Sequence, residues 1–438
     1  MPRVLLLATT TGYQTRAFGD AARRLGVQLA YATDRCHLLD DPWQDEAIPI
    51  RFYEEAAAAD AIVAAAADRP IDGLITVGDR PTTIAARVAA RLGLPGHPVE
   101  AAAIARDKER TRQCVRDAGL PAPWFIPTPL DADPREVAAR VTYPCVVKPV
   151  ALSASRGVMR ANTRDEFLAA FDRLRTLVRL PDLRAERNDA HARALVEGFI
   201  PGREFAVEGL LNHGRLTALA IFDKPDPLDG PFFEETIYVT PPALAADARR
   251  QVVETVGRAA AAIGLHHGPI HVECRVNRDG VFVLEVAARP IGGLCARALS
   301  FEPRGDSVRA GEFQDRRDQS APAPCSLEEL LLRHALGESP DGWTRESCAS
   351  GVMMIPIPAR GVYRGVSGLD EARQVPGVDE VTITAKAHQV LVPPPEGASY
   401  LGFVFARGES GASVERALRT AHAHLRFAIE TELPVNRA

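Results

Sequence analysis

The chain has nothing on which to build a disulfide frame or a zinc finger. Its seven cysteines, at 36, 114, 145, 274, 295, 325 and 348, show no paired spacing and no C-x-x-C. That pattern points to a reducing, cytoplasmic setting. No apolar run approaches the length that crosses a bilayer. The opening Met1-Pro-Arg-Val-Leu-Leu-Leu-Ala8 reads as a first buried strand and not as a secretory leader. Positive charge is not in surplus either. A formal net charge of −5 and a pI near 6.2 leave no basic surface for nucleic acid or anionic lipid, so neither is an expected partner. Two phosphate-binding signatures are missing as well. Ala8-Thr-Thr-Thr-Gly12 lacks the spaced glycines of G-x-G-x-x-G, which argues against a nicotinamide-binding domain, and G-x-x-x-x-G-K-[ST] is absent.

What is present, 438 residues with 46% hydrophobic and 25% charged content, is the composition of a globular protein. The length prior gives roughly three domains of ordinary size. The first hundred residues alternate strand and helix, with strands over 4–8, 27–32 and 71–77 and helices over 15–25, 56–68 and 82–92. Such alternation predicts a doubly wound parallel sheet. Beyond it, a helix opens at Asp107-Lys-Glu-Arg-Thr-Arg112 and strands are expected over 144–150, 194–199, 204–211 and 217–222. A long helix follows over 243–263, and Gly292-Gly293 introduces another through Leu299. Residues 303–324 are charged, proline-containing and poor in apolar side chains, as a mobile insertion would be. Ser326-Leu-Glu-Glu329 has the form of a capping box opening a helix over 327–336, and a last helix is expected over 413–429. The fold class is α/β, organised as an N-terminal domain over 1–105, a small lobe over 106–193, a large lobe over 194–325 and a small C-terminal α+β domain over 326–438.

Two glutamates carry the chemistry. Ile270-His-Val-Glu273-Cys-Arg-Val276 and Val281-Phe-Val-Leu-Glu285-Val-Ala-Ala-Arg289 read as a hairpin closed by Arg278-Asp279-Gly280. That register sets Glu273 opposite Glu285. It also gives one face to Ile270, Val272, Cys274, Val276, Phe282, Leu284, Val286 and Ala288, and the other to His271, Glu273, Arg275, Glu285 and Arg289. Like charges directly opposite are destabilising, so either one carboxyl is protonated or a cation sits between them, Arg275 or Arg289 or a magnesium ion. Magnesium takes one or two carboxylates plus substrate phosphates, and a phosphate site should therefore exist elsewhere. Ala151-Leu-Ser-Ala-Ser-Arg-Gly157, after the strand bearing Lys148, is a small-residue loop whose amides can close round phosphate oxygens.

Taken in order, these segments resemble the ATP-grasp carboxylate–amine ligases, most of all the L-amino acid ligase branch. Arg106-Asp-Lys108 with Ala118-Gly-Leu-Pro-Ala-Pro123, Tyr143-Pro-Cys-Val-Val-Lys148-Pro and Leu195-Val-Glu197-Gly-Phe-Ile-Pro-Gly-Arg-Glu204-Phe carry the likeness, together with the glutamate hairpin. The resemblance implies a two-lobed ATP-binding region and ATP with magnesium or manganese as cofactors. Lys108 and Lys148 would hold phosphates, with the loop bearing Ser153, Ser155, Arg156 and Gly157. Glu197 and the backbone at Phe199 and Ile200 would bind adenine, and Glu204 ribose. Glu273 and Glu285 would ligate metal, and Arg289 would act with Lys148 on the transferring phosphoryl group. Glu234 or Glu235, His271, Gly292 and Gly293 would face the partners, a small-molecule carboxylate and an amine; a homodimer is common in such ligases. The chain departs from the pattern at Ala287, where asparagine often supplies another metal ligand, and at Ala151 and Ala154, where glycine is frequent. Rival readings are a biotin carboxylase-like or glycinamide ribonucleotide synthetase-like reaction, or an ATP-binding regulator that has lost catalysis.

Overall fold

The computed structural model describes residues 1–9, 14–34, 47–304 and 324–431. The insertion expected over 303–324 lies almost wholly outside the described residues. Near the N-terminus, Arg3–Ala8 pairs in parallel with Gln28–Thr33 and Gly73–Val77, and Ile48–Pro49 extends one edge. Val4 to Ala8 are all fully buried, as the strand of a sheet covered on both faces requires. Helices Thr15–Leu25 and Thr82–Leu92 keep the expected bounds because each stops at a left-handed glycine, Gly26 or Gly93.

The small lobe is an antiparallel sheet of Phe125–Pro129, Arg193–Gly198, Cys145–Pro149 and Met159–Ala161, backed by helix Arg164–Leu177. Phe167, Phe171 and Leu174 of that helix fill the core beneath it. An eight-stranded sheet forms the other wall of the molecule, ordered Gly280–Ala287, Gly268–Asn277, Arg203–Asn212, Arg215–Lys224, Ile237–Thr240, Ala349–Ile355, Gly402–Gly408 and Val378–Ile383. Three of its strands come from beyond residue 326, so the C-terminal segment prolongs the large lobe's own sheet. The Ser326 capping box forms as written in the sequence, with Glu329 returning a bond to the Ser326 amide.

Three local expectations are corrected. Helix Gly411–His424 ends early, and Arg426–Glu430 pairs as a strand with Gly361–Ser367, because alternating exposed and half-buried residues complete an open sheet edge. After Gly292-Gly293 only one short 3-10 turn, Cys295–Ala298, is formed. In the hairpin, Glu273 does face Glu285, but a bulge between Glu273 and Cys274 shifts the tip by one residue. Asn277 pairs with Gly280, leaving Arg278 and Asp279 as the loop. Val281 and Val283 therefore enter the core in place of Phe282 and Leu284, and Leu284 turns to the opposite face.

Candidate active site

The two lobes and the N-terminal domain enclose a cleft of about 340 Å³. Most of the residues singled out from sequence converge on it. From the small lobe come Lys148, Ser153 and Ser155, and from the hinge strand and its exit come Glu197, Phe199 and Ile200. Glu204, Glu235, His271, Glu273, Glu285 and Arg289 face them from the large lobe. Lys108, Gly292 and Gly293 complete the set. Arg156 and Gly157 stay outside. The Arg156 guanidinium bonds the Glu396 carbonyl at 2.8 Å and pairs with Asp182 at 2.6 Å, while the Gly157 amide donates to the Pro395 carbonyl at 2.8 Å. Within the loop, Ala154 (φ 54°) and Ser155 (φ 53°) are left-handed, a conformation costing non-glycine residues about 1–3 kcal/mol each. Successive amides in such a turn form an anion-binding concavity.

Among the described residues, the charges that line the cleft are met by opposite ones. Lys148 lies 2.5 Å from Glu197, whose carboxylate also receives Arg112 at 2.9 and 3.3 Å. Arg112 is 1% exposed and also bonds the Leu284 carbonyl, so it ties helix Lys108–Asp117 to both hinge and hairpin. Burial pushes the Glu197 carboxyl up, but Arg112 and Lys148 outweigh it and hold it at about 2. Burial draws the Lys148 ammonium below its ordinary value, with Glu197 opposing. Lys108 reaches across the cleft to the Leu152 carbonyl at 2.5 Å and to Glu285 at 3.2 Å.

The hairpin glutamates are not neutralised by the arginines beside them. Glu273 is met by Lys224 at 3.1 Å and Glu285 by Lys108. Arg275 is committed to Glu204 at 2.9 Å and to the Ile200 carbonyl at 2.7 Å. Arg289 is clamped by Asp79 of the N-terminal domain, at 2.8 and 3.1 Å. Burial raises the Asp79 carboxyl, yet Arg289 overrides it and leaves it below its ordinary value. His271 bonds Glu208 at 3.0 Å, and Glu208 accepts the Ile291 amide at 3.1 Å. Burial opposes a charged His271, but bonds from Glu208 and Glu273 prevail and raise it to about 9. Burial and the neighbouring Glu273 raise Glu235 to about 7.

Asp79 and Glu208 stand outside every candidate site segment the sequence points to, and Arg112 and Lys224 stand inside such segments without a role of their own. For Lys224 a signal was available. Only four of the chain's 52 lysine and arginine residues are lysines, and three of them, Lys108, Lys148 and Lys224, meet in this cleft. Asp79 and Glu208 carry no local motif: Asp79 meets Arg289 where the N-terminal domain packs on the hairpin, and Glu208 meets His271 because their two strands pair.

The geometry has counterparts among known proteins. The ATP-grasp N-terminal domain family matches residues 19–96, the ATP-grasp domain family 141–298, and L-amino acid ligase C-terminal domain 2 residues 353–430. The structure of an L-amino acid ligase from Bacillus licheniformis superposes with a TM-score of 0.78 at 26% identity, covering 98% of this chain and 99% of that one. Alanine–anticapsin ligase of Bacillus subtilis is 27% identical over 252 residues, 54% of this chain and 52% of its own length. Carnosine synthase 1 of Gallus gallus is 30% identical over 240 residues, 52% of this chain and 25% of its own. The chain thus spans about half, or less, of these two relatives. It belongs to the ATP-grasp family. Within that family it falls on the L-amino acid ligase branch.

Proposed function

We propose that the protein is an ATP-dependent carboxylate–amine ligase that joins an amino-acid carboxylate to an amine and releases ADP and phosphate. One observation carries the reading. The cross-strand pair Glu273 and Glu285 faces Lys108 and Lys148 in one cleft between two lobes. Acid and base placed this way suit a triphosphate with a divalent cation.

The donor set fits magnesium or manganese. Both carboxylates open on the cleft, with side chains 21% and 27% exposed, and hard oxygen ligands are what such ions take. Glu273 and Glu285 would hold the ion, which neutralises phosphate charge when bound. Val146, Val158, Phe199, Phe233 and Leu284 form apolar walls for adenine. Leu284 reaches that slot only because of the hairpin bulge. Glu197 supports this end indirectly, since its oxygens are spent on Lys148 and Arg112. Glu204 has both oxygens engaged, by Lys224 and Arg275, so contact with ribose would be made at the expense of one of these bonds.

In the first step a substrate carboxylate oxygen attacks the γ-phosphorus and the bond to ADP breaks, giving an acyl-phosphate. In the second the amine nitrogen attacks the acyl carbon, the carbon–oxygen bond breaks, and phosphate leaves with a proton lost from nitrogen. Arg289, fixed by Asp79, sets a permanent positive charge where negative charge develops. His271, held by Glu208, adds a second. The loop over 151–157 and the small lobe exclude water from the acyl-phosphate, which hydrolyses readily.

A phosphate-release screen with ATP, magnesium and pairs of the twenty amino acids tests this. Release that requires a particular pair supports ligation. ATP binding without release for any pair, or release that depends on bicarbonate or on a phosphoribosyl amine, overturns it.

A further inference from the structure

Lys224 sits where a metal ion would fit. Its ammonium nitrogen lies 2.8 Å from Glu204, 2.5 Å from Glu235 and 3.1 Å from Glu273. One oxygen from each of these carboxylates lies within 4.8 Å of the others, the spacing of a cation cage. The sheet builds it. Glu204 is the direct cross-strand partner of Lys224, Glu273 lies on the next strand over, and Glu235 precedes strand Ile237–Thr240. The lysine side chain is 3% exposed, and the Tyr238 ring stands 5.0 Å from its nitrogen.

The choice of lysine has a physical reason. In a chain that uses arginine for nearly every cation, a planar guanidinium would not fit between three converging oxygens. An ammonium offers three donors from a single compact atom and matches them one to one. On the far flank of the hairpin, Ala287 offers only a methyl group, and its cross-strand partner is His271, already bonded to Glu208. Ala287 and His271 add no oxygen to the pair on that flank, and on the other Lys224 engages Glu204, Glu235 and Glu273.

We propose that Lys224 is a resident cation of the site, filling the Glu204–Glu235–Glu273 cage, aiming Glu273 at Glu285 and limiting the pair to one divalent ion per nucleotide. Lys224 is a positioning residue acting through Glu273. The inference rests on the ligase reading only in expecting a nucleotide and a divalent ion. Manganese binding followed by electron paramagnetic resonance, with and without a non-hydrolysable ATP analogue, tests it. The native protein is expected to take one Mn²⁺ with the analogue and none tightly without it. Lys224→Met is expected to gain one nucleotide-independent Mn²⁺, and adding Glu235→Gln should abolish that gain. Two tight ions on the native protein overturn the proposal even if Lys224→Met fails to fold, and so does a folded Lys224→Met that gains none. A failed ligase reading would show separately, as absent pair-dependent phosphate release with these ion counts intact.

Discussion

Two polar clusters lie along the hairpin strand Gly268–Asn277, one around Glu273 and one at its start beside His267, and they are built on opposite principles. In the cleft, Glu204, Glu235 and Glu273 converge on Lys224, and Arg289 is matched by Asp79, so each charge has a partner within hydrogen-bond reach. At the start of that strand, His97, His267 and His334 gather where the N-terminal domain, the large lobe and helix Leu327–Ala335 meet. The His267 and His334 rings stack with centroids 4.2 Å apart and 15° between planes, and Nε2 of His334 has no hydrogen-bond partner. Burial lowers all three, to about 4, about 4 and about 3, so they are neutral at pH 7. Buried charge survives where opposites meet, and buried imidazole survives by giving charge up. The first cluster keeps its charges and can present them to a charged ligand, whereas the second is neutral.

Breaking the cleft cluster at Glu285 should have the largest effect. Glu285→Gln is expected to leave the fold intact and lower turnover by ~10²-fold or more, the scale of losing one electrostatic group in the transition state. Unchanged ADP production in a steady-state assay would defeat the metal assignment. Next comes Arg112→Met, which leaves the buried Glu197 carboxylate with Lys148 as its one remaining cation among the described residues. Removing one member of a buried ion pair costs about 3–5 kcal/mol, to be read by urea unfolding, with weakened nucleotide binding alongside because Lys148 shares the same carboxylate. A loss under ~1 kcal/mol would mean that Glu197 finds solvent or another partner.

Asp79→Asn should be milder. It keeps the shape but frees Arg289, and turnover is expected to fall on the order of tenfold with nucleotide KM little changed. A change in KM alone would show that Asp79 serves binding and does not position Arg289.

The smallest effect separates the clusters by pH. For His97, His267 and His334 the folded pKa lies below the unfolded value of about 6.5. The unfolded chain then binds more protons between about 4 and 6.5, so their contribution is complete above 6.5 and lost as pH falls toward 4. His271 runs the other way, its contribution complete below about 6.5 and lost as pH rises through about 9. Melting temperature should therefore drop on acidification, and His334→Phe should flatten that drop while leaving the alkaline side unchanged. An identical acid slope in the variant would remove the histidine cluster from the account.

Much of the fold was legible because its signals are local. The first parallel sheet followed from apolar strands alternating with helices closed by glycine, and the Ser326 capping box followed from four residues. The cleft was legible where a motif fixes both residue type and register, as at Lys148, Glu197 and the glutamate hairpin. The bulge that moves Leu284 to the cleft face was not, since one inserted residue changes no composition and little local preference. The Arg426–Glu430 strand was missed for a similar reason. Its pairing edge, Gly361–Ser367, is remote in sequence, and alternation over so short a stretch competes poorly with the helical pattern before it.

By itself the sequence determined which groups are available: two lysines and two glutamates at spacings that place them on known faces of strands, and an alanine where a further ligand could have stood. Only the tertiary structure decided which charge meets which. Asp79, not a glutamate, takes Arg289, and Lys224, not a metal, fills the carboxylate cage. Spacing along a strand fixes the face a side chain occupies. Its counter-ion comes from whichever element packs opposite, and the energy of an ion pair depends on that distance and on the burial the whole fold creates.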